Sequence, residues 1–184
     1  RFKPFEEFFA KNSKDPNAAL VGAMSWWNGT VSAPSNEDIT FYENAPYIQE
    51  VLSKNKILGI TEPQFSSVCS KTHATRDHVI KMNLATLGRP DLKYLSRDER
   101  VPLYAVWLLK QRNRKGWSVL ELLNYVLYGG NDDDLWERLY TAARDPDYYL
   151  SHYGLNSIAE LVVWAMMELA PPRNGRTSKS LRAL

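Results

Sequence analysis

The sequence predicts an all-α fold, and three observations carry that prediction. Apolar residues recur at three- and four-residue spacing along most of the chain. Capping residues, prolines and glycines punctuate those stretches where helices should begin and end. No segment alternates polar and apolar residues for long between turn signals, and Asp38–Tyr42 is the one short strand candidate. Periodicity and caps together give about eight helices, and no fixed-period repeat points to a solenoid. With 184 residues, 44% of them hydrophobic, the chain is long enough to bury one core. The expected organisation is a helical domain over 1–170 and a basic tail over 171–184 that begins a further helix.

The elements follow in order. Phe2, Phe5, Phe8 and Phe9 form one side of a first helix. Asp15 and Pro16 start a second that carries Leu20, Val21, Met24 and Trp27 and stops at Asn28-Gly29. Thr30 to Asn44 reads as a loop, after which Pro46 opens a helix with Ile48, Val51 and Leu52 on one face. Thr61-Glu62-Pro63 starts the next, with Phe65, Val68 and Cys69 inward. Thr72 is the expected cap of a helix over Ala74–Leu87, ended by Gly88 and Pro90. Ser96 with Glu99, and Ser118 with Glu121, are capping boxes for helices over Arg97–Arg112 and Leu122–Tyr128. Asp132 to Asp134 open a helix through Ala143, where negative charge suits the helix dipole, and Asn156–Leu169 is the last long helix. Leu103, Trp107, Leu122, Leu123, Leu139, Leu161 and Trp164 are the expected core.

Several classes of function fall away. No apolar run reaches the roughly 18 residues needed to cross a bilayer, so no membrane is expected. A single cysteine, Cys69, excludes an internal disulfide and any multi-thiolate zinc site and fits a reducing, cytoplasmic setting. The phosphate-cradling, dinucleotide, serine-hydrolase and zinc-protease motifs are all missing, which argues against an enzyme, a cofactor or a small-molecule ligand. Starting at Arg1 with no methionine and no leader, the chain reads as an excised fragment, and the charge segregation described next suits a part of a larger bacterial or phage protein.

Charge is the most informative feature. The net charge is only +2, yet Ser70–Lys115 holds eleven basic residues against four acidic ones, and 171–184 holds four against none. Such segregation is the footprint of a polyanion partner, although solvated helix faces produce it too. The cluster Lys110-Gln111-Arg112-Asn113-Arg114-Lys115 and the tail Arg173 to Ser180 mix Arg and Lys with Asn, Gln, Ser and Thr, the donors used on phosphates and base edges. Arg112, Arg114, Lys115, Arg173, Arg176 and Lys179 are the expected phosphate contacts. Thr61–Leu84 has the outline of a helix-turn-helix whose second helix presents Arg76, Lys81 and Asn83, with Arg76 and Lys81 reaching a groove, although no glycine marks its turn. One residue each of Trp26-Trp27 and Tyr148-Tyr149 is left over from the core to line a stacking site.

Catalytic and metal readings are weaker. Cys69 and His73 are four apart, the spacing of an imidazole-activated thiol, but a proposed helix break lies between them. His73 and His78 read as polar groups on a charged face, and Asp132, Asp133 and Asp134 point about 100° apart on a helix and cannot share one ion. No catalytic residue and no metal ligand is therefore assigned. The expected function is a nucleic-acid-binding helical module, with DNA as the first partner and RNA as the second. A helical adaptor for an acidic protein partner explains the same charge almost as well.

Overall fold

In the computed structural model, which describes residues 10–11, 15–30 and 39–170, helix α1 spans Pro16–Thr30. Asp15 starts it: its Oδ1 accepts from the backbone N–H groups of Asn17 and Ala18, each at 3.0 Å, satisfying two donors that a helix start leaves open. Ala19 and Ala23 are buried, whereas Leu20, Val21 and Met24 are exposed. This helix belongs to a unit of Arg1–Ile39 with Gly175–Leu184, and all the other described helices belong to a second unit, Thr40–Asn174. The helix read from Phe2 to Phe9 and the basic tail with Arg173, Arg176 and Lys179 lie outside the described residues.

The second unit opens with a π-helical turn, Thr40–Asn44, that runs directly into α2, Ala45–Val51. The strand considered at Asp38–Tyr42 is not formed, since Ile39 onward is helical. A strand needs a neighbour for its N–H and C=O groups, and the described residues contain only an isolated Leu150–Tyr153 bridge. After a 3-10 turn at Ile57–Gly59 comes α3, Glu62–Ser70, where Gln64 Oε1 reaches back to accept the Thr61 N–H at 2.9 Å.

Helix α4 is His73–Val79, and it departs from the sequence reading at both ends. Thr72 does not cap it, because the Thr72 hydroxyl donates backward to the carbonyls of Val68 and Cys69. The cap comes from Glu160, whose two carboxylate oxygens accept the N–H groups of His73 at 2.7 Å and Ala74 at 2.6 Å. The expected run to Leu87 stops at Val79, and the carbonyls at and beyond that end, Val79, Ile80 and Met82, accept from Arg100 NH1 at 3.3, 3.1 and 2.9 Å.

Both capping boxes are formed. Ser96 starts α5, Arg97–Lys110, and Ser118 starts α6, Val119–Tyr128, with Glu99 and Glu121 closing each box. A 3-10 turn at Asp132–Asp134 leads into α7, Leu135–Arg144. Helix α8 is Leu155–Ala165, four residues shorter at its end than expected, since Met166 leaves the helical region at φ −132° and ψ 55°. These eight α-helices lie among the described residues, and the fold is all-α.

Helix α5 packs against α3 and α4, while α8 packs against α2, α4 and α7, and α6 lies on α7 and the 57–59 turn. Between them sit the fully buried Ile48, Phe65, Tyr104, Leu108, Leu122 and Leu123. Leu139 and Leu161 are buried as expected, but Leu103, Trp107 and Trp164 are only partly covered at the rim of that core. Two features unseen in the sequence tie the helices together. Buried Arg138 donates from Nε to the Val126 carbonyl at 3.0 Å and from NH1 to the Asn131 carbonyl at 2.7 Å, placing a cation at the negative end of α6. Tyr128 donates its hydroxyl hydrogen to the Leu52 carbonyl at 2.8 Å. Among the described residues no helix is long and apolar enough to cross a membrane.

Candidate nucleic-acid interface

The connection between α5 and α6, residues 111–118, gathers Arg112, Arg114 and Lys115 just beyond Lys110 at the end of α5. Buried Asn113 shapes it. Its Oδ1 accepts the Trp117 N–H at 2.9 Å, its Nδ2 donates to the Tyr148 carbonyl at 2.9 Å, and its own N–H bonds the Trp117 carbonyl at 3.0 Å. Asn113 is therefore a buried strut and not one of the surface donors read from its cluster. Gly116, with φ +81°, supplies the left-handed step that closes the loop.

The loop folds its basic side chains against aromatic ones. Lys115 Nζ lies 4.6 Å from the centroid of the Tyr148 ring and 5.5 Å from that of Trp117, within cation–π range of both. Trp117, Tyr125 and Tyr148 form a mutually packed triad with centroids 5.0 to 5.5 Å apart. Arg114 is well exposed and reaches Asp147 only at 4.0 Å, a separation that cancels little of its charge in water. Arg112 is exposed, and its NH1 donates to the carbonyls of Leu109 and Gln111 at 2.8 and 2.7 Å, so it closes the end of α5 while keeping its charge. Of Tyr148-Tyr149, the first is half-buried in the triad and the second is exposed. The Trp27 side chain lies outside those described.

Arg76 and Lys81 sit at the other end of α5. Arg76 pairs with Asp98 in the first turn of α5 at 3.1 Å, is only partly exposed, and buries its Nε without a partner, so it is a strut between α4 and α5 before it is a surface group. Lys81 and Asn83 are exposed but fall beyond the end of α4, and Asn83 turns its Oδ1 onto the Ala85 N–H at 2.9 Å. The 14 residues of α5 separate this group from Arg112 by about 21 Å. Residues 145–153 run between the two ends, with the Asp147 and Tyr148 carbonyls on Lys115 and Asn113 and the His152 carbonyl on the Tyr104 hydroxyl. Much of the remaining basic segment is engaged internally: Arg97 with Asp77, Arg89 with Asp91, and Arg100 on carbonyls.

Other candidate chemistry resolves into structure. Cys69 is buried and its thiol is pushed up to about 12 by burial, the opposite of an activated nucleophile, while His73 is exposed at the start of the next helix. The three aspartates form an exposed 3-10 turn ahead of α7. Two open clefts, of about 300 and 270 Å³, are lined by the Glu50–Lys56 ion pair and Gln64 and by Asp134, Glu137 and Arg138. Among the described residues no three His, Cys, Asp or Glu side chains converge on a metal position.

One meeting of polar groups escaped the sequence reading. His78 and His152, 74 positions apart, place Nε2 and Nδ1 3.3 Å from each other. Burial, His152 and Lys81 all disfavour a proton on His78 and lower its pKa. A left-handed residue at 152 is set by tertiary contacts and leaves no pattern in the sequence. Against known families, curated proteins and solved structures, the chain gives no match.

Proposed function

We propose that this chain is a nucleic-acid-binding helical module whose first partner is DNA. The observation that carries the proposal is the 111–118 loop. It presents exposed Arg112, Arg114 and Lys115 together and lays Lys115 across the rings of Trp117 and Tyr148. Cationic side chains interleaved with aromatic rings are what a phosphate backbone and its bases require. Arg112, Arg114 and Lys115 are assigned to phosphates. Arg173, Arg176 and Lys179 extend the basic set in the tail, and Lys81 adds charge at the far end of α5.

The helix-turn-helix part of the reading is narrower than the sequence suggested. Helices α3 and α4 are consecutive across Lys71-Thr72, but α4 has seven residues and its Arg76 is committed to Asp98. Arg76 would read a base only after giving up that ion pair. A mobility-shift assay with duplex DNA, single-stranded DNA and structured RNA at two salt concentrations tests the proposal. Retention at low salt that weakens at high salt supports it. Failure to retain any of the three refutes it and transfers the charge to an acidic protein partner.

A further inference from the structure

Tyr125 belongs both to the aromatic triad beside Lys115 and to the open cleft of about 270 Å³ at the end of α6 and the start of α7. Its ring lies 5.0 Å from that of Tyr148, which in turn lies 4.6 Å from Lys115 Nζ, so the cleft adjoins the basic loop. Part of its lining is bare backbone. A Cβ on Gly129 would collide with the Tyr125 carbonyl oxygen, and one on Gly130 would come within 2.7 Å of Arg138 NH1.

The polar groups that line the cleft are of both signs. Arg138, only 5% exposed, commits Nε and NH1 to the Val126 and Asn131 carbonyls, and NH2 is left without a hydrogen bond among the described residues. Asp134 and Glu137 line the same cleft, and among the described residues neither carboxylate has an ion-pair or hydrogen-bond partner. Burial and Tyr148 raise the pKa of Tyr125, Arg138 lowers it and Glu137 raises it, so Arg138 and Glu137 both act at that ring.

This combination selects its occupant. Carboxylates repel a phosphate and the guanidinium repels a bare cation, so neither suits the cleft. A neutral, flat group fits if it presents an acceptor to Arg138 beside donors to a carboxylate. Among the bases of a nucleic acid, the pairing edge of guanine does so: O6 accepts, while N1–H and N2–H2 lie side by side for the two oxygens of one carboxylate. Adenine and cytosine offer one amino group there, and thymine one N–H between two carbonyls. That edge is covered in a duplex, so the base has to be unpaired.

We propose that the cleft is a pocket for one unpaired guanine, with Glu137 accepting from N1–H and N2–H2 and Arg138 NH2 donating to O6. The proposal rests on the nucleic-acid reading of the adjoining loop and deepens it. Arg112, Arg114 and Lys115 hold phosphates whatever the sequence, and the cleft supplies the choice of base.

The test is fluorescence anisotropy of labelled strands of about eight nucleotides with the full chain at low salt. The strands are thymine throughout except for a central guanine, adenine, cytosine, thymine or hypoxanthine, the last lacking the N2 amino group. The guanine strand should bind at least about fivefold tighter than the adenine, cytosine and thymine strands, with hypoxanthine in between. E137Q, an exposed substitution that leaves the fold intact, should bind all five alike. D133N removes an equal charge outside the cleft and should keep the preference. Equal binding of the five strands by the parent chain overturns the guanine pocket and leaves the phosphate-binding loop standing. A guanine preference that survives in E137Q overturns the assignment to this cleft, and failure to bind any strand or duplex overturns both readings.

Discussion

Glu160 offers a sharp test of how α4 is held. Its carboxylate bonds the first two N–H groups of α4 across 86 and 87 residues of sequence, and no side chain of α4's own flank performs that task. Replacing Glu160 by alanine leaves both amides without their acceptor. Hydrogen bonds to a charged group contribute about 1.5–3 kcal/mol each, and Glu160 is partly accessible, so water recovers part of the loss. The two bonds together therefore predict about 3 kcal/mol of destabilisation for E160A. E160Q retains one acceptor oxygen and should lose about half as much. Urea unfolding followed by far-UV circular dichroism measures both. Because α4 carries Arg76 and His78, E160A should also loosen the His78–His152 contact, visible as a change in the imidazole resonances. A loss below about 0.5 kcal/mol in E160A, the range of an ordinary surface substitution, would refute the idea that this carboxylate anchors α4.

Other consequences follow from single contacts. R138M keeps the buried stem of Arg138 and removes its bonds to the Val126 and Asn131 carbonyls, so unfolding in urea should show a loss of about 3 kcal/mol. His78 has a pKa lowered below 6.5 in the folded chain, so the unfolded chain takes up that proton first as pH falls. Its contribution to stability is complete above 6.5 and is lost as the pH falls toward the folded value, which the urea midpoint between pH 7.5 and 5 should show and which H78Q should diminish. Cys69, with its thiol raised to about 12 inside the core, should resist a thiol reagent in the native protein and react promptly in urea.

What the sequence disclosed and what it hid divide along the range of the interaction. Capping boxes act over three residues, and Ser96–Glu99 and Ser118–Glu121 fixed the starts of α5 and α6. Inward stripes such as Phe65, Val68 and Cys69 were legible for the same reason. The end of α4 was not, since the carbonyls of Val79 and Ile80 there turn to Arg100, some twenty residues on, and neither was its cap, because Glu160 arrives from α8. The candidate site shows the same division. Contiguous Arg112 to Lys115 could be read as a cluster, while Asn113's burial, the approach of Tyr148 to Lys115 and the His78–His152 contact depend on where residues 145–153 cross α5.

The central claim, that the 111–118 loop binds a nucleic-acid backbone, is tested most directly by the salt dependence of duplex DNA binding. Fluorescence anisotropy of a labelled duplex, titrated across salt concentrations with the parent chain and with R114A/K115A, gives the slope of log affinity against log salt. If both side chains neutralise phosphates, the double variant should bind more weakly and its slope should flatten by about 1.8, or 0.9 for each phosphate no longer neutralised. An unchanged slope and affinity in a double variant that remains folded would contradict the assignment of this loop.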